Sequence, residues 1–520
     1  MTENSSYIIG AALLVFLIVI GYLVVKSREE ADNLDSYAVG NKEFAPLSVA
    51  LALAASLTSA ATFIINPGFI ALYGVSGYLA FGVVMPIAIF IALVFLMKRF
   101  RKYGVTVKSL SIADWLGKRF DSRFLKLMFG FISLLLITFI VLICVGISKV
   151  LSKALHFDEI YVMIGLVIIV FGYMMLGGAN AMIRTNTIQA VIMIVVAVIL
   201  LGSDFQSIFE SGEDGLFGKL AVIDPMLVQT FNPESPLFRD FFEVFICNAI
   251  VGIAIVCQPH ILTKSLMIKD DKKVNTFLLY TILILILFFS VVFTGFYARA
   301  FFPDLIQGGS ALQMDGIIPA YVVSRFPVYV TILLIIGLIA AGLSTLEGLI
   351  QSVPTTLTND LILPLMKKNA SDPKAIKINR WVTMIVALLT IVLSVRQMRS
   401  PDLSVAIFAQ NGVYAFFSAA FVPVLFGIFT RSKNKLIPVT GALTALIVHF
   451  SVYYLEITWY MKDVSPKNPA IACAIALMVS VMVSGVIFLV LRIKHGNTEP
   501  QQFVQEADGS YSQLQSQSFK

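Results

Sequence analysis

The chain has 520 residues, of which 58% are apolar and 13% charged, against roughly 25% charged in an average soluble domain. So few charges cannot cover a soluble surface, which excludes a soluble enzyme or binding domain and places the mass in a lipid bilayer. The net charge of +7 is then either a nucleic-acid footprint or a topology signal, and its distribution decides which.

Met1 to Ser6 carries Glu3 and no basic residue, so the first apolar run is expected to remain in the protein instead of being cleaved as a leader. With about 20 apolar residues per spanning helix, thirteen segments are predicted: 7–26, 46–74, 77–97, 123–154, 159–180, 183–205, 238–262, 274–300, 326–365, 377–396, 403–429, 435–456 and 468–492. Segments 2 and 9 exceed a plain span and are expected to be interrupted or to run past the hydrocarbon. Segment 9 has an amphipathic lead-in at Ile317 to Arg325. With the N-terminus outside, most Lys and Arg fall on the inner side, including Lys98, Arg99, Arg101 and Lys102, and the set Lys264, Lys269, Lys272 and Lys273. The acidic loop Asp204 to Glu234 falls outside. The +7 therefore reads as a positive-inside signal, with no nucleic-acid partner. An odd number of spans puts the C-terminus in the cytoplasm, where 496–520 is expected to be a disordered tail.

The polar residues inside spans carry the functional signal, because a helix touching only lipid needs none. Segment 2 holds Ala54-Ala55-Ser56-Leu57-Thr58-Ser59-Ala60-Ala61-Thr62-Phe63, followed by Asn66-Pro67-Gly68. Small and hydroxyl residues permit close helix packing, while Asn-Pro-Gly predicts a break whose free carbonyls can face a cation. Cys144, Cys247, Cys257 and Cys473 lie within apolar runs without metal-ligand spacing and are expected to be small core residues. Segment 7 has Asn248, Gly252 and Gln258-Pro259-His260. On the assigned starts, Pro67 and Pro259 occupy matching positions five segments apart, the pattern of an inverted-repeat transporter with its site between the breaks. Glu243 is placed at the outer interface, and His260 reads as an interfacial or capping group. Segment 9 contains Ala341-Gly342-Leu343-Ser344-Thr345-Leu346-Glu347-Gly348. Ser344 and Thr345 share a face with Ala341, and their oxygens are hard ligands of the kind a small cation prefers; interhelical hydrogen bonding explains the same residues. A buried charge costs at least about 2.5 kcal/mol, so Glu347 requires partners. Gln410 and Asn411 in segment 11 form an amide pair facing either a cavity or another helix. Trp115, Trp381 and Trp459 read as interfacial anchors.

Three stretches resemble the sodium/solute symporter family: Asp35-Ser-Tyr37-Ala-Val-Gly40-Asn-Lys42, Ser111-Ile-Ala-Asp114-Trp115-Leu-Gly-Lys-Arg119-Phe120 and Gly177-Gly178-Ala-Asn-Ala-Met-Ile-Arg-Thr185-Asn186-Thr-Ile-Gln189. The resemblance implies the leucine-transporter fold, a 5+5 inverted-repeat core within an all-α integral membrane protein. The expected layout is a first span and cytoplasmic loop (1–45), a first repeat (46–205), a second repeat (206–430) and two accessory spans (431–495). It also implies a sodium site formed by the carbonyls of Ala55, Thr58 and Ala341 and the hydroxyls of Ser344 and Thr345. Two departures stand out. Asn186 replaces the family's usual Asp, while Glu347 occupies a family hydroxyl position, as though a carboxylate had crossed the site. Glu347 with Asn186 then completes a second cation site, takes up a proton, or only hydrogen-bonds locally. In addition, Ile255 and Val251 stand where proline carriers place aromatic residues, which argues against proline as substrate.

The resulting expectation is a sodium-coupled symporter of the plasma (inner) membrane, importing a small carboxylate, amino acid or vitamin by alternating access. Sodium is the coupling ion and no further cofactor is needed. Phe63, Asn66, Asn248, Gln258, Pro259 and Gln410 are the candidate substrate residues. One charge moving inward across 100 mV supplies about 2.3 kcal/mol, roughly fifty-fold accumulation. The alternatives are a proton-coupled carrier using Glu347 and a transport-inactive sensor on the same fold. A membrane enzyme is disfavoured, because no catalytic cluster, nucleotide loop or H-E-x-x-H motif is present.

Overall fold

The computed structural model describes residues 3–27, 33–40, 44–101, 109–268, 270–399, 405–430, 432–462 and 464–495, and two short strands beyond them. Lys102, Lys269 and residues 41 and 42 of the first motif lie outside the described residues. So does the expected disordered tail, apart from Phe503–Gln505 and Tyr511–Gln513, which pair as antiparallel strands.

In chain order the helices are α1 (Glu3–Ser27), α2 (Leu34–Val39), α3 (Pro46–Leu57) and α4 (Ala61–Tyr73), then α5 (Val75–Arg101), α6 (Ile112–Arg119) and α7 (Arg123–Leu155). They continue with α8 (Glu159–Gly202), α9 (Phe242–Ile255), α10 (Pro259–Met267), α11 (Val274–Phe301), α12 (Ile317–Arg325) and α13 (Val328–Leu365). The last four are α14 (Ala375–Arg399), α15 (Val405–Phe429), α16 (Leu436–Tyr454) and α17 (Pro469–His495). Ten described helices are long and apolar enough to cross a membrane, and two further pairs, α3 with α4 and α9 with α10, are bent by 58° and 60°. This is an all-α integral membrane architecture. The near-equal bends, five predicted spans apart, match the interrupted helices expected of an inverted repeat.

The predicted segments 5 and 6 form one element. α8 has 44 residues, about 66 Å of helix at 1.5 Å per residue, or twice the roughly 30 Å hydrocarbon core. It folds as two spans hinged at Gly178, whose φ of 58° and ψ of −156° are non-helical. α2 docks there: Tyr37 Oη donates to the carbonyl of Met174 at 3.0 Å, satisfying an oxygen the hinge leaves free. A Cβ on Gly178 would lie 2.9 Å from the Tyr37 carbonyl oxygen. The second glycine of the third motif is thus a backbone requirement.

Each break has a local cause. α3 stops because Thr58 takes an extended backbone (φ −100°, ψ 98°) and directs both its amide (3.1 Å) and its hydroxyl (2.7 Å) at the Ala54 carbonyl, which closes the helix against itself. Ser59 opens the next helix by accepting the Ala61 amide on its hydroxyl at 3.1 Å. The break therefore lies at Thr58–Ala60, upstream of the expected Asn-Pro-Gly. Pro67 sits inside α4 and is absorbed by a π-turn over Ala61–Ile65, in which the Asn66 amide reaches the Ala61 carbonyl. The wider turn relieves the clash that proline makes with the preceding turn. At the second break Pro259 does begin the new helix. Gln258 before it is extended (φ −66°, ψ 140°), as a residue preceding proline must be.

Three further expectations change. Trp115 is buried, its ring 5.0 Å from that of Phe100, because α6 folds back under α15, where Arg119 Nε donates to the Gly427 carbonyl at 2.9 Å; Trp381 and Trp459 are exposed. Glu243 is fully buried within the protein. Arg239 meets it with two side-chain bonds of 3.0 and 2.6 Å, and Asn468 adds a third at 3.2 Å. His260 is buried against Gly348. The four cysteines are free and buried, as expected. Within α6, Asp114 binds Lys118 at 2.7 Å, and it also binds Lys126 of α7 at 2.8 Å. Burial raises its pKa, but the two ammonium groups outweigh this and hold the carboxyl below its ordinary value.

Gly178→Ala places a side chain in a backbone region open almost only to glycine, at a cost of about 1–3 kcal/mol, and against Tyr37. The expected outcome is a lower unfolding temperature in detergent. Gly165→Ala in the same element, where a Cβ meets nothing within 4 Å, should change it little.

Candidate cation and solute site

A helix that ends inside the bundle leaves its last carbonyls without intrahelical partners, and no water replaces them at that depth. At the end of α3, the Ala55 carbonyl accepts the Ser344 hydroxyl at 2.8 Å and the Ser56 carbonyl accepts the Thr345 hydroxyl at 3.0 Å. Ser344 Oγ is also 3.0 Å from the Ala341 carbonyl. All these residues are buried. Of the five expected sodium residues, Ala55, Ala341 and Ser344 meet directly. Thr345 joins one residue along at Ser56, and Thr58 caps the same helix end. Carbonyl and hydroxyl oxygens so gathered are hard donors suited to a small alkali cation. Rotating the two hydroxyl protons away would free every oxygen for an ion.

Glu347 lies one turn beyond Ser344 and is fully buried. Its carboxylate accepts from Tyr173 Oη at 2.6 Å, from Gln189 Nε2 at 2.9 Å and from the Thr185 hydroxyl. Asn186 does not bond to it. The Asn186 amide turns toward α3 and donates to Ser56 Oγ at 2.8 Å and to the Ser344 carbonyl at 3.1 Å. The two residues that replace the family pattern thus belong to one cluster but have separate partners.

The largest departure from the sequence reading is Lys264. Expected among the basic residues of the inner flank, it is instead fully buried on α10, its ammonium donating to the Ala52 carbonyl at 2.9 Å and to Ser56 Oγ. Arg101, from the other basic set, is also buried and bonds to the Ser265 carbonyl. Lys98, Arg99, Lys272 and Lys273 are exposed as expected. The missed signal was Leu266-Met267-Ile268: apolar sequence continues past the lysine, so the span ends at Met267, not at Leu262.

Beside the two breaks is a cavity lined by Asn66, Gln258 and Gln410, with Ser59, Thr62 and Tyr414 and the rings of Phe81, Phe139, Phe289 and Phe417. None of its lining residues is charged. The other three candidate solute residues lie off it. Phe63 packs edge-on against Phe288 with ring centres 5.6 Å apart. Asn248 donates back to the Glu243 carbonyl at 2.8 Å. Pro259 lines a smaller pocket with Ser111, Thr263, Gln351 and Thr355. Asn411 serves helix contact, donating to Tyr454 Oη at 3.0 Å and meeting His449.

The profile of the Sodium:solute symporter family matches residues 37–448. The chain is 25% identical to the sodium/pantothenate symporter of Haemophilus influenzae over 463 residues, covering 86% of this chain and 88% of that one. It is also 25% identical to the sodium/proline symporter of Escherichia coli over 456 residues, covering 83% and 85% respectively. A Na+-coupled sialic acid symporter solved in a substrate-bound outward-open state superposes with a TM-score of 0.72 at 18% identity, covering 94% of this chain and 98% of that one. That likeness fixes the fold as the leucine-transporter type.

Tyr173→Phe and Thr185→Val each withdraw one buried donor from the Glu347 carboxylate, where a hydrogen bond to a charged group contributes about 1.5–3 kcal/mol. Both should lower the unfolding temperature in detergent. Combining them should lower it by less than the sum, because the two donors share one acceptor group.

Proposed function

The chain belongs to the sodium:solute symporter family and is a sodium-coupled symporter of a small solute; we propose that this solute is an organic carboxylate, amino acid or vitamin, imported across the plasma membrane by alternating access. The sodium ion would bind where the end of α3 meets α13, held by the carbonyls of Ala55, Thr58 and Ala341 and the hydroxyls of Ser344 and Thr345. The observation that carries this reading is the pair of buried hydroxyls, Ser344 and Thr345, seated on successive free carbonyls of a broken helix. A packing role alone would not need α3 to stop there.

The solute would bind in the neutral cavity on the other side of the break, with Asn66, Gln258 and Gln410 as its polar contacts and the four phenylalanines as its apolar wall. The relatives' printed substrates, pantothenate and proline, each carry a carboxylate beside other polar groups, and a neutral cavity with three amide side chains suits that class. Ile255 lines the cavity where proline carriers have an aromatic residue, so proline itself is the poorer candidate. The exposed basic residues Lys98, Arg99, Lys272 and Lys273 support an N-terminus outside and a C-terminus in the cytoplasm.

Sodium, and not potassium, is expected to raise the unfolding temperature of the purified protein, and Ser344→Ala with Thr345→Ala should abolish that protection. Equal protection by both ions, or protection that survives the double substitution, would refute the assignment. Adding pantothenate, short carboxylates and amino acids in the presence of sodium should identify the solute by further stabilisation that disappears when sodium is removed.

A further inference from the structure

Most buried acids among the described residues have a cation within ion-pair distance. Glu243 takes Arg239 at 2.6 Å, Asp114 and Asp360 share Lys126 at 2.8 and 3.3 Å, and Asp315 takes Lys149. Glu347 is different: it is fully buried, and its partners are the neutral donors Tyr173, Thr185 and Gln189. Lys264 is its counterpart, a fully buried ammonium whose partners are a carbonyl and a hydroxyl. An uncompensated charge of either sign is costly at this depth, and Lys264 and Glu347 each lie within electrostatic reach of the other, close enough to compensate.

From the ammonium the hydrogen-bonded chain runs as far as Asn186, the neighbour in sequence of Thr185, which donates to Glu347. Ser56 Oγ accepts from Lys264 Nζ and from Asn186 Nδ2 at 2.8 Å, and donates to the Ser344 carbonyl at 3.1 Å. That uses the full capacity of a hydroxyl, one proton given and two lone pairs filled. The Ser344 carbonyl also accepts from Asn186 at 3.1 Å, and Ser344 is itself one of the proposed sodium ligands. The ammonium therefore sits beside the first cation site, against the negative end of α3, where a cation is favoured. It faces the part of the cluster where Asn186 and Glu347 depart from the family pattern.

We propose that the Lys264 ammonium is a cation built into the chain that fills a second cation position, with Glu347 as its compensating charge, so that each cycle carries a single sodium ion. The proposal rests on the sodium-symport reading above. A mobile second ion would have to displace an ammonium held by two acceptors and tethered by its own side chain. The acid at position 347 then serves to balance lysine and does not bind a transported ion.

Equilibrium binding of radioactive sodium to the purified full-length protein, without solute, tests this directly. One sodium per chain is expected, and two per chain overturns the proposal. Lys264→Met should vacate the position and raise the number to two, and adding Glu347→Gln should return it to one. A Lys264→Met protein that still binds one sodium also overturns it. Should Lys264→Met fail to fold, Glu347→Gln alone gives a second reading: with the ammonium no longer compensated, sodium affinity at the remaining site should fall at least tenfold, and an unchanged affinity counts against the proposal. If the unaltered protein bound no sodium at all, the symport reading itself would fail, a result distinguishable from either outcome.

Discussion

The constraint on which the rest of this structure depends is that α3 stops inside the bundle. A helix that ends in water has its last carbonyls solvated, but one that ends among other helices must find donors from them. Thr58 closes the Ala54 carbonyl from within the chain. The Ala55 and Ser56 carbonyls take the hydroxyls of Ser344 and Thr345, and one turn earlier the Ala52 carbonyl takes the ammonium of Lys264. Two other elements, α13 and α10, are thus docked on one helix end by the oxygens it leaves available. The same shortage of donors makes the place attractive to a cation, since an ion can satisfy several carbonyls together.

The kinked α8 supplies the opposite wall, and Glu347 ties its two halves together. Tyr173 precedes the hinge at Gly178, while Thr185 and Gln189 follow it, yet all three donate to one carboxylate on α13. The hinge is held by α2, through Tyr37 and the Met174 carbonyl. A displaced carboxylate therefore has a mechanical consequence as well as an electrostatic one. It makes both spans of α8 answer to the position of α13, the helix that carries the proposed sodium ligands.

The apolar spans and the presence of two interruptions were legible in the sequence because each follows from local composition, apolar length and small-residue runs broken by proline, whereas the sodium ligands were an expectation that only the family resemblance supplied. Destinations were not legible. Lys264 at a span's end reads the same whether its stem carries the charge out to the interface or turns it inward, and only the bent geometry of α9 and α10 brings it to α3. Trp115 shares this ambiguity, because an amphipathic ring near a span suits an interface until α6 folds under α15. Pro67 misplaced the first break because proline usually ends a helix, whereas here a π-turn accommodates it and the hydroxyls of Thr58 and Ser59 end and restart the helix eight residues earlier.

One interruption presents both electrical poles at a single place. The carbonyl end of α3 carries partial negative charge and faces the proposed sodium ligands, while the amide end of α4 carries partial positive charge. The first turns of α4, through Ser59, Ala61, Thr62 and Asn66, line the cavity whose walls contain no charged residue. An anionic solute bound there, as proposed, would find its complement in the amide end of α4 and in the proposed sodium ion across the break, since the wall holds no arginine or lysine. Coupling then needs no separate relay between ion and solute. In the proposed arrangement ion and solute would each stabilise the geometry that the other uses, through the one helix end on which Ser344 and Thr345 sit.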